Sequence, residues 1–393
     1  MFIGISDRVA PALSKLRLFT QEVIIPNEKR YEEELAIERW REPPVMSEMK
    51  ARAREEGLSK LFLNAFDEVE YAHLAEAMGM SEIAAEVFNC AAPDSGNMSL
   101  LAHYGNERQQ EQWLQALIQG EVRSGFAMTE SAVASSDVRN IATSATKDKD
   151  SWIINGEKSW VSGAGDPNCD FLITLCVTGP NKEQSILIVP MSSPGLKTTR
   201  MNSIFGYDNA PHGHAQIQFK NVRIPLENLV GNEGQGLEIA QDRLGSGRVH
   251  QCMRSIGAAE RALQLMVERS KTRFAFGKPL SELGGNVDVI ANSRIEIEMS
   301  RLMALKAAYQ IDSVGMMKSL LEIAQMKVAV PNMALAVIDR AIQMYGGMGL
   351  SEDTPLAKMW ASHRALRLSD GPDEVHRELI ARIEMGSNHQ PYV

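Results

Sequence analysis

The sequence is poor in the features that identify several large classes of protein. Only four cysteines, Cys90, Cys169, Cys176 and Cys252, are scattered along 393 residues, which predicts neither a disulfide framework nor a metal site and favours a reducing, cytoplasmic location. The formal net charge of −9 argues against the broad basic face that binds nucleic acid. No apolar run approaches the length of a membrane span, and the first residues lack the apolar core of a signal peptide, so we expect no membrane partner.

Common catalytic signatures are missing as well. The chain has no Walker loop, no HExxH and no Gly-x-Ser-x-Gly. The glycines of GNEGQGL, residues 231–237, have the wrong spacing for a dinucleotide fingerprint, and no parallel βαβ unit surrounds them. These absences exclude the usual nucleotide-binding, zinc-protease and hydrolase interpretations.

What is present is a helical, β, helical order, divided at residues 1–123, 124–232 and 233–393. Leu16, Phe19 and Val23 follow helical spacing, and Gly120 is typical of a helix end. Two later stripes with helical spacing predict core faces of a helical bundle. These stripes are Ile295, Met299, Leu302, Leu305 and Tyr309, and Val330, Ala334, Val337, Ala341 and Met344. Pro331 is expected to kink or to start a helix.

The middle part predicts an antiparallel β domain of roughly a hundred residues, since short apolar or alternating runs are separated by turn residues. Asn155-Gly156 between β-formers predicts a hairpin turn. Trp160 would then lie on the strand that leaves the hairpin, with Ser162 on the same face. A ring and a hydroxyl placed in this way could cover and hydrogen-bond a flat heterocycle, but the pattern taken alone favours an ordinary packed Trp.

Two further stretches could carry chemistry. In FAMTESAVASSD, residues 126–137, the hydroxyls of Thr129, Ser135 and Ser136 could donate to an anion, or the stretch could be a Ser-rich surface turn. In RLSDGPDEVH, residues 367–376, Asp370 and the Gly-Pro after it interrupt two helical segments. The Asp could cap the second helix, or it could present a carboxylate at a fixed break.

Taken together and in this order, these segments resemble the acyl-CoA dehydrogenase family over almost the whole chain. The resemblance implies an α+β fold: an N-terminal helical domain, a middle antiparallel β-barrel domain and a C-terminal four-helix bundle. It also implies FAD as the cofactor, an acyl-CoA as the substrate and an electron-transfer flavoprotein as the acceptor. A homotetramer built as a dimer of dimers, with no bound metal, is expected.

The same resemblance implies roles for individual residues. Asp370 would be the catalytic base, which removes the α proton of the acyl thioester while the β hydride passes to flavin N5, and Ser162 would hydrogen-bond near N5. Ser136, Arg248 and Gly371 would contact the substrate. The residues implied in FAD binding are Phe126, Met128, Thr129, Ser135, Ser136, Trp160, Ser162, Pro372 and Glu374, with Arg273, Phe276, Gln343, Gly346 and Gly347 reaching the FAD of a neighbouring subunit.

The sequence departs from the commonest family pattern in three places. Ser131 stands where Pro is usual, the loop after it is one residue longer, and Asp370 stands where many members carry Glu. LSDGPDEVH, WVSGAGDP and HQCMRSIG most resemble the subgroup of acyl-CoA dehydrogenase 10 and 11 type proteins, in which Asp is typical at this place. A nitroalkane oxidase that also uses Asp, and a flavin-binding member without catalysis, are the alternatives.

Overall fold

Helices form the first and last parts of the chain, and strands lie between them, as the sequence predicts. The computed structural model describes residues 2–59, 61 and 66–386. The α-helical segments among them are α1 Ala10–Phe19, α2 Ile25–Ile37, α3 Pro44–Glu55, α4 Glu68–Met78, α5 Ala84–Val87, α6 Asp94–Tyr104, α7 Glu107–Gln109, α8 Gln115–Gln119, α9 Gly236–Thr272, α10 Asn286–Val314, α11 Leu320–Tyr345, α12 Leu356–Leu366 and α13 Asp373–Glu384. Short π-helical segments join α1 to α2 and α7 to α8.

One large sheet occupies the middle of the chain. Its strands and those of a small separate hairpin are β1 Arg123–Ala127, β2 Ser144–Asp148, β3 Ser151–Ser162, β4 Cys169–Val177, β5 Gln184–Pro190, β6 Leu196–Asn202, β7 His214–Pro225, β8 Leu229–Val230, β9 Phe274–Ala275 and β10 Lys278–Pro279. The order is β6-β7-β3-β2-β4-β5-β8, with β1 beside β4. Most pairs are antiparallel, as predicted, but β1 runs parallel to β4, so the sheet is mixed.

The predicted hairpin at Asn155-Gly156 is wrong. The strand β3 continues through both residues, and the turn lies instead at Lys149 and Asp150, between the paired residues Asp148 and Ser151. Lys149 has a φ of 57°, which is the left-handed conformation that a tight turn between strands requires. Gly156 has another purpose, because a Cβ there would lie 2.7 Å from the Cα of Thr143.

Apolar alternation places the core of the sheet. In β7, Ala215, Ile217 and Phe219 are buried at every second position, as one face of a strand requires. Trp152 and Ile154 of β3 join the same buried cluster. The burial of this face anchors the strand ends on which the polar loops are carried.

The described chain divides into two compact units. The helical unit consists of residues 2–26, 61, 66–85 and 248–386, and the sheet unit consists of residues 27–59 and 86–247. Each unit holds its own core and its own candidate site, so the two are treated separately. The division into three domains, at residues 1–123, 124–232 and 233–393, stays a prediction.

The two predicted C-terminal stripes have different outcomes. In α11, all five residues of the predicted stripe, the first being Val330 and the last Met344, are buried. The helix runs through Pro331 rather than starting there. In α10, Leu305 is buried, but Ile295, Met299 and Leu302 are 55%, 65% and 55% exposed, so they are not core residues. Periodicity identifies an apolar helix face but does not tell what covers it.

The N-terminal predictions hold. Leu16, Phe19 and Val23 are buried along α1 and the π-helical segment after it. Gly120 ends α8 with a φ of 71°, the left-handed C-cap that favours glycine. By length and apolar composition alone, one stretch of the described chain, Leu320–Leu350, could cross a membrane, so the expectation of no such run is wrong. Most of its apolar window is buried within the protein, as in a core helix.

Candidate active site

The carboxylate turn, defined here as residues 366–373, joins α12 to α13. Asp370 has a φ of 54° and Gly371 a φ of 100°, so two successive residues are left-handed, which is costly for Asp and persists only where the surroundings impose it. Pro372, not Asp370, precedes the first residue of α13, and no side chain caps that helix. The capping interpretation of Asp370 is therefore wrong.

The polar groups of Asp370 that matter for chemistry are available. Within the described residues, neither its carboxylate nor its backbone N–H has a hydrogen-bond partner. Its carbonyl, in contrast, accepts from Arg248 Nε at 3.0 Å and from His376 Nε2 at 3.3 Å. The turn is thus fixed through its backbone, which leaves the acid half-buried and without a partner.

Two buried cations hold this turn. Lys327, only 1% exposed, donates from Nζ to the carbonyls of Leu366 at 2.5 Å and Ser369 at 2.8 Å. Arg248 is buried nearby, and burial lowers the pKa of both side chains although the charge of Asp370 opposes that change. Two positive charges beside the turn favour any negative charge that develops next to it.

His376 completes the cluster as a neutral ring. Burial, and then repulsion by Arg248 and Lys327, lowers its pKa to about 4. The ring therefore donates one N–H to the Asp370 carbonyl at neutral pH. A Cβ on Gly371 would lie 2.8 Å from His376 Nε2, so this position requires glycine for space as well as for φ.

The start of α13 is held by an ion pair. Asp373 is buried and receives hydrogen bonds from Arg367 Nε at 2.8 Å and from Asn332 Nδ2 at 3.1 Å. These contacts hold the last residue of the carboxylate turn, whereas Lys327 holds residues earlier in the turn. Pro372 is half-buried and Glu374 is exposed, and neither side chain has a contact that fixes a cofactor role.

In the sheet unit, a buried lysine holds the loop after β1 by hydrogen bonds to its first residues. The fully buried Lys158 donates to the Met128 carbonyl and to Glu130 Oε1, each at 2.9 Å. Burial would raise the pKa of Glu130, but the Lys158 ammonium and the amides of Ala142 and Thr143 hold it below its usual value. The loop that begins at Met128 is therefore rigid at its base.

The predicted hydroxyls of this loop divide into two groups. Ser135 Oγ accepts from Glu130 N at 2.8 Å and returns its proton to carbonyls of the same loop, so it stabilises the turn. Thr129 and Ser136 are exposed, and no hydrogen bond of either hydroxyl occurs within the described residues. Thr129 and Ser136 are thus free to donate to an anion, whereas the hydroxyl of Ser135 is already committed.

Trp160 and Ser162 do not lie on a regular strand as predicted. The register of β3 against β7 shifts between Lys158 and Val161, and Trp160 has a φ of 57°, which is strained for an aromatic residue. This bulge turns the indole outward, where it is 48% exposed. The alternative of an ordinary packed Trp is therefore wrong, and Trp152 has that role instead.

A histidine reunites the two side chains. His214 Nδ1 lies 2.9 Å from Ser162 Oγ, and its ring centre lies 5.9 Å from that of Trp160. Asn209 Nδ2 lies 2.8 Å from the other ring nitrogen. We call the set of Phe126, Met128, Thr129, Ser136, Trp160 and Ser162 the hydroxyl face.

The hydroxyl face fits a flavin. Phe126 and Met128 are half-buried on either side of the buried Ala127, and the guanidinium of Arg243 lies 4.0 Å from the ring centre of Phe126. Ser159 N donates to the Thr129 carbonyl at 2.8 Å, which brings the exposed Trp160 beside the same loop. FAD needs apolar side chains against the faces of its ring system and hydroxyl donors for the ring edges and phosphates, and the hydroxyl face has both.

The residues expected to reach a neighbouring subunit's FAD are all exposed in the helical unit. Arg273 and Phe276 lie at β9, and Phe276 is 97% exposed with a φ of 51°. Gln343, Gly346 and Gly347 lie at the end of α11. The guanidinium of Arg269 lies 5.1 Å from the Tyr345 ring centre, so the ends of α9 and α11 meet and these residues share one region.

Sequence reasoning missed three residues of these clusters. Lys327 lies on the buried apolar face of α11, and a lysine at such a position is the signal in the sequence that could have identified it. His376 and His214 carry no such signal alone, although the Pro-His-Gly-His of residues 211–214 is a compact polar motif. No group of three or more His, Cys, Asp or Glu side chains that could hold a metal ion occurs in the described part of the chain.

The chain is similar to acyl-CoA dehydrogenases by sequence and by structure. Residues 125–222 match the acyl-CoA dehydrogenase middle domain and residues 234–385 match the C-terminal domain. The chain is 50% identical to "Probable acyl-CoA dehydrogenase FadE2" of Mycobacterium tuberculosis over 87% of this chain and 86% of that protein. It is 47% identical to human acyl-CoA dehydrogenase family member 11 over 95% of this chain, but it spans only 50% of that relative's length.

A solved structure gives the same result. A Mycobacterium abscessus protein described as an acyl-CoA dehydrogenase superposes with a TM-score of 0.94 at 46% identity, over 98% of this chain and 99% of its own. The helical, β, helical layout implied by the resemblance is thereby confirmed. The chain belongs to the acyl-CoA dehydrogenase family and is an FAD-dependent oxidoreductase.

Proposed function

We propose that the protein desaturates an acyl-CoA thioester between its α and β carbons, with Asp370 as the base that removes the α proton. The observation that carries this proposal is the carboxylate turn. It presents a half-buried carboxylate with no protein partner among the described residues, on a strained backbone beside two buried cations. A carboxylate that only stabilised the fold would have its hydrogen bonds satisfied within the protein.

The backbone of the turn supports the same role. As the α proton leaves, negative charge grows on the thioester oxygen, and a donor fixed at that atom lowers the barrier. The unpartnered N–H of Asp370 is suited to this task, since it belongs to the same rigid residue as the base. Arg248 and Gly371 are proposed to contact the substrate, and the buried guanidinium uses only Nε on the described part of the protein.

The hydroxyl face is proposed to hold FAD, whose isoalloxazine, when bound, accepts the β hydride. Thr129, Ser136 and Ser162 supply hydroxyl donors, while Phe126, Met128 and Trp160 supply apolar surface. Ser135 is proposed to meet the pyrophosphate through the loop backbone it stabilises rather than through its own hydroxyl. Pro372 and Glu374 remain proposed cofactor contacts on the helical unit.

The assembly is proposed to be a homotetramer, a dimer of dimers. Ile295, Met299 and Leu302 form an exposed apolar stripe along α10, which is the kind of surface that a second subunit covers. Phe276 is almost wholly exposed, in agreement with a role toward another subunit's FAD. A light-scattering mass of one chain for the FAD-loaded protein would refute this proposal.

Three broader features are proposed from family membership. The electrons pass to an electron-transfer flavoprotein, the reaction belongs to fatty-acid or related acyl-CoA catabolism, and the protein is cytoplasmic. The reducing location is supported by the four cysteines, which are buried and form no disulfide: Cys90, Cys169, Cys176 and Cys252. Rapid reoxidation of the reduced protein by an electron-transfer flavoprotein, but not by oxygen, tests the first feature.

An anaerobic titration of the yellow holoenzyme tests the reaction itself. Bleaching of the flavin by acyl-CoAs of graded chain length is expected, with the enoyl-CoA product recovered in equal amount. Bleaching by nitroethane and not by any acyl-CoA would assign the chain to nitroalkane oxidation. No bleaching by either class would assign it a flavin-binding role without catalysis.

A further inference from the structure

His214 lies at the start of β7, and both of its ring nitrogens contact side chains. Nδ1 lies 2.9 Å from Ser162 Oγ, and Nε2 lies 2.8 Å from the amide nitrogen of Asn209. The ring also tilts against Trp160 at 5.9 Å between centres. One histidine therefore contacts Ser162, its partner in the pairing of β3 with β7, and packs beside Trp160 of the bulge.

In the structure the Asn209 amide is oriented with its nitrogen toward His214 Nε2, and this orientation assigns the proton of the ring. An amide nitrogen only donates, so Nε2 must accept, and the neutral ring then carries its proton on Nδ1. That N–H donates to Ser162 Oγ. Burial, together with repulsion from His212, lowers the pKa of His214, which is consistent with the neutral form.

Ser162 is left with one direction for its own proton. Its oxygen already accepts from His214, and within the described residues no other protein atom accepts from it. The hydroxyl proton can therefore be given only to a molecule on the hydroxyl face. If the ring proton lay on Nε2 instead, Nδ1 would accept from Ser162, and the hydroxyl proton would be committed to the protein.

We propose that His214 is a positioning residue, which, held by Asn209, makes Ser162 an obligate hydrogen-bond donor to the cofactor. This inference rests on the proposed role of the hydroxyl face in FAD binding. It adds a residue that acts on the flavin only through Ser162. The competing explanation is that His214 simply packs its ring against Trp160.

Two substitutions at one position separate these explanations. His214→Phe keeps a ring beside Trp160 but removes both nitrogens, whereas His214→Asn loses the ring but keeps an amide donor near the place of Nδ1. The measurement is the FAD dissociation constant of the full-length holoenzyme, followed by flavin fluorescence. His214→Phe should weaken FAD binding by up to roughly tenfold, as one lost hydrogen bond allows, and His214→Asn should stay closer to the parent.

A double-mutant cycle with Ser162→Ala tests whether the effect passes through the serine. If it does, Ser162→Ala and the double variant with His214→Phe weaken FAD binding by the same factor. His103→Phe, a ring exchange at an exposed histidine of the same unit, serves as the control and should change nothing. Unfolding midpoints of all variants separate loss of the fold from loss of the contact.

Each outcome is decisive. An NMR measurement of the His214 nitrogens should find the proton on Nδ1, and a proton on Nε2 would overturn the inference. Additive effects in the cycle, or a harmless Phe with a harmful Asn, would also overturn it and favour ring packing. If Ser162→Ala leaves FAD binding unchanged, Ser162 is not at the flavin, and that part of the proposed function fails as well, while bleaching by acyl-CoA reports on the reaction separately.

Discussion

The carboxylate turn and the hydroxyl face each contain a residue with a strained backbone, but different kinds of group hold the two residues in place. Asp370 and Trp160 have φ values of 54° and 57°, each in the left-handed region. The turn is fixed by charges, the ammonium of Lys327 and the guanidinium of Arg248. In the hydroxyl face, neutral hydrogen bonds through His214 and Asn209 hold Ser162 beside the strained Trp160, while the Lys158–Glu130 ion pair holds only the base of the neighbouring loop.

The difference matches what each region is proposed to bind. The proposed reaction develops negative charge on the substrate, and buried cations beside the turn would stabilise that anion. A flavin ring is a flat heterocycle, for which direction matters more than charge. Backbone strain at one residue is therefore common to both regions. The charge of the groups that hold that residue differs between them.

The largest expected effect breaks the charged site. Asp370→Asn keeps shape but removes the base, so flavin reduction by acyl-CoA should slow by at least the roughly 10²–10⁴-fold that general base catalysis contributes. The flavin spectrum and acyl-CoA binding should be unchanged, as stopped-flow and titration would measure. Asp339→Asn, at an exposed position of α11, is the matched control. Near-native reduction by the Asp370→Asn variant would remove Asp370 from the mechanism.

A second prediction concerns acid stability. The pKa of His376 is about 4 rather than its usual 6.5, so the unfolded chain binds this proton more tightly than the folded one. The free energy of unfolding should fall as pH drops from 6.5 toward 4, by about 3 kcal/mol at most. His376→Gln, which keeps a donor for the Asp370 carbonyl, should flatten that dependence in urea titrations. An identical pH profile for both proteins would contradict this assignment.

Removing the buried ammonium should have an intermediate effect. Lys327→Met keeps the length of the side chain but leaves the carbonyls of Leu366 and Ser369 without their donor, which costs about 1–3 kcal/mol of stability. The rate of flavin reduction should fall as well, because the turn that aims Asp370 loosens. Lys306→Met, on the half-exposed side of α10, should alter neither. Equal unfolding midpoints and rates for Lys327→Met and the parent would show that the turn needs no cation.

The smallest expected effect on the fold comes from the neutral face. Trp160 is 48% exposed, so Trp160→Ala should cost only about 0.5 kcal/mol of stability, while FAD binding and the flavin spectrum change. Trp152→Ala, on the same strand but fully buried, should cost about 3–5 kcal/mol. Comparing unfolding midpoints and flavin spectra of the two variants tests whether Trp160 serves the ligand. A large loss of stability for Trp160→Ala would return it to the core.

Much of this could be predicted from sequence because local patterns carry it. The buried stripe of α11, the C-cap at Gly120 and the position of Asp370 between two helices all depend on neighbouring residues. The resemblance to the family added the fold and the cofactor. The same reasoning failed for Asn155-Gly156, since a turn signal cannot outweigh the pairing of a long strand with β7.

The sequence by itself determined where helices and strands form and which residue types are available for chemistry, since spacing and backbone preference are local properties. Only the tertiary structure decided which apolar stripe is covered, because α10 and α11 have similar periodicity and different neighbours. It also decided that Lys327, His376 and His214 support the candidate residues. Two of these contacts, Lys327 with Leu366 and Ser162 with His214, join positions 39 and 52 residues apart, and burial then sets the protonation of the groups involved.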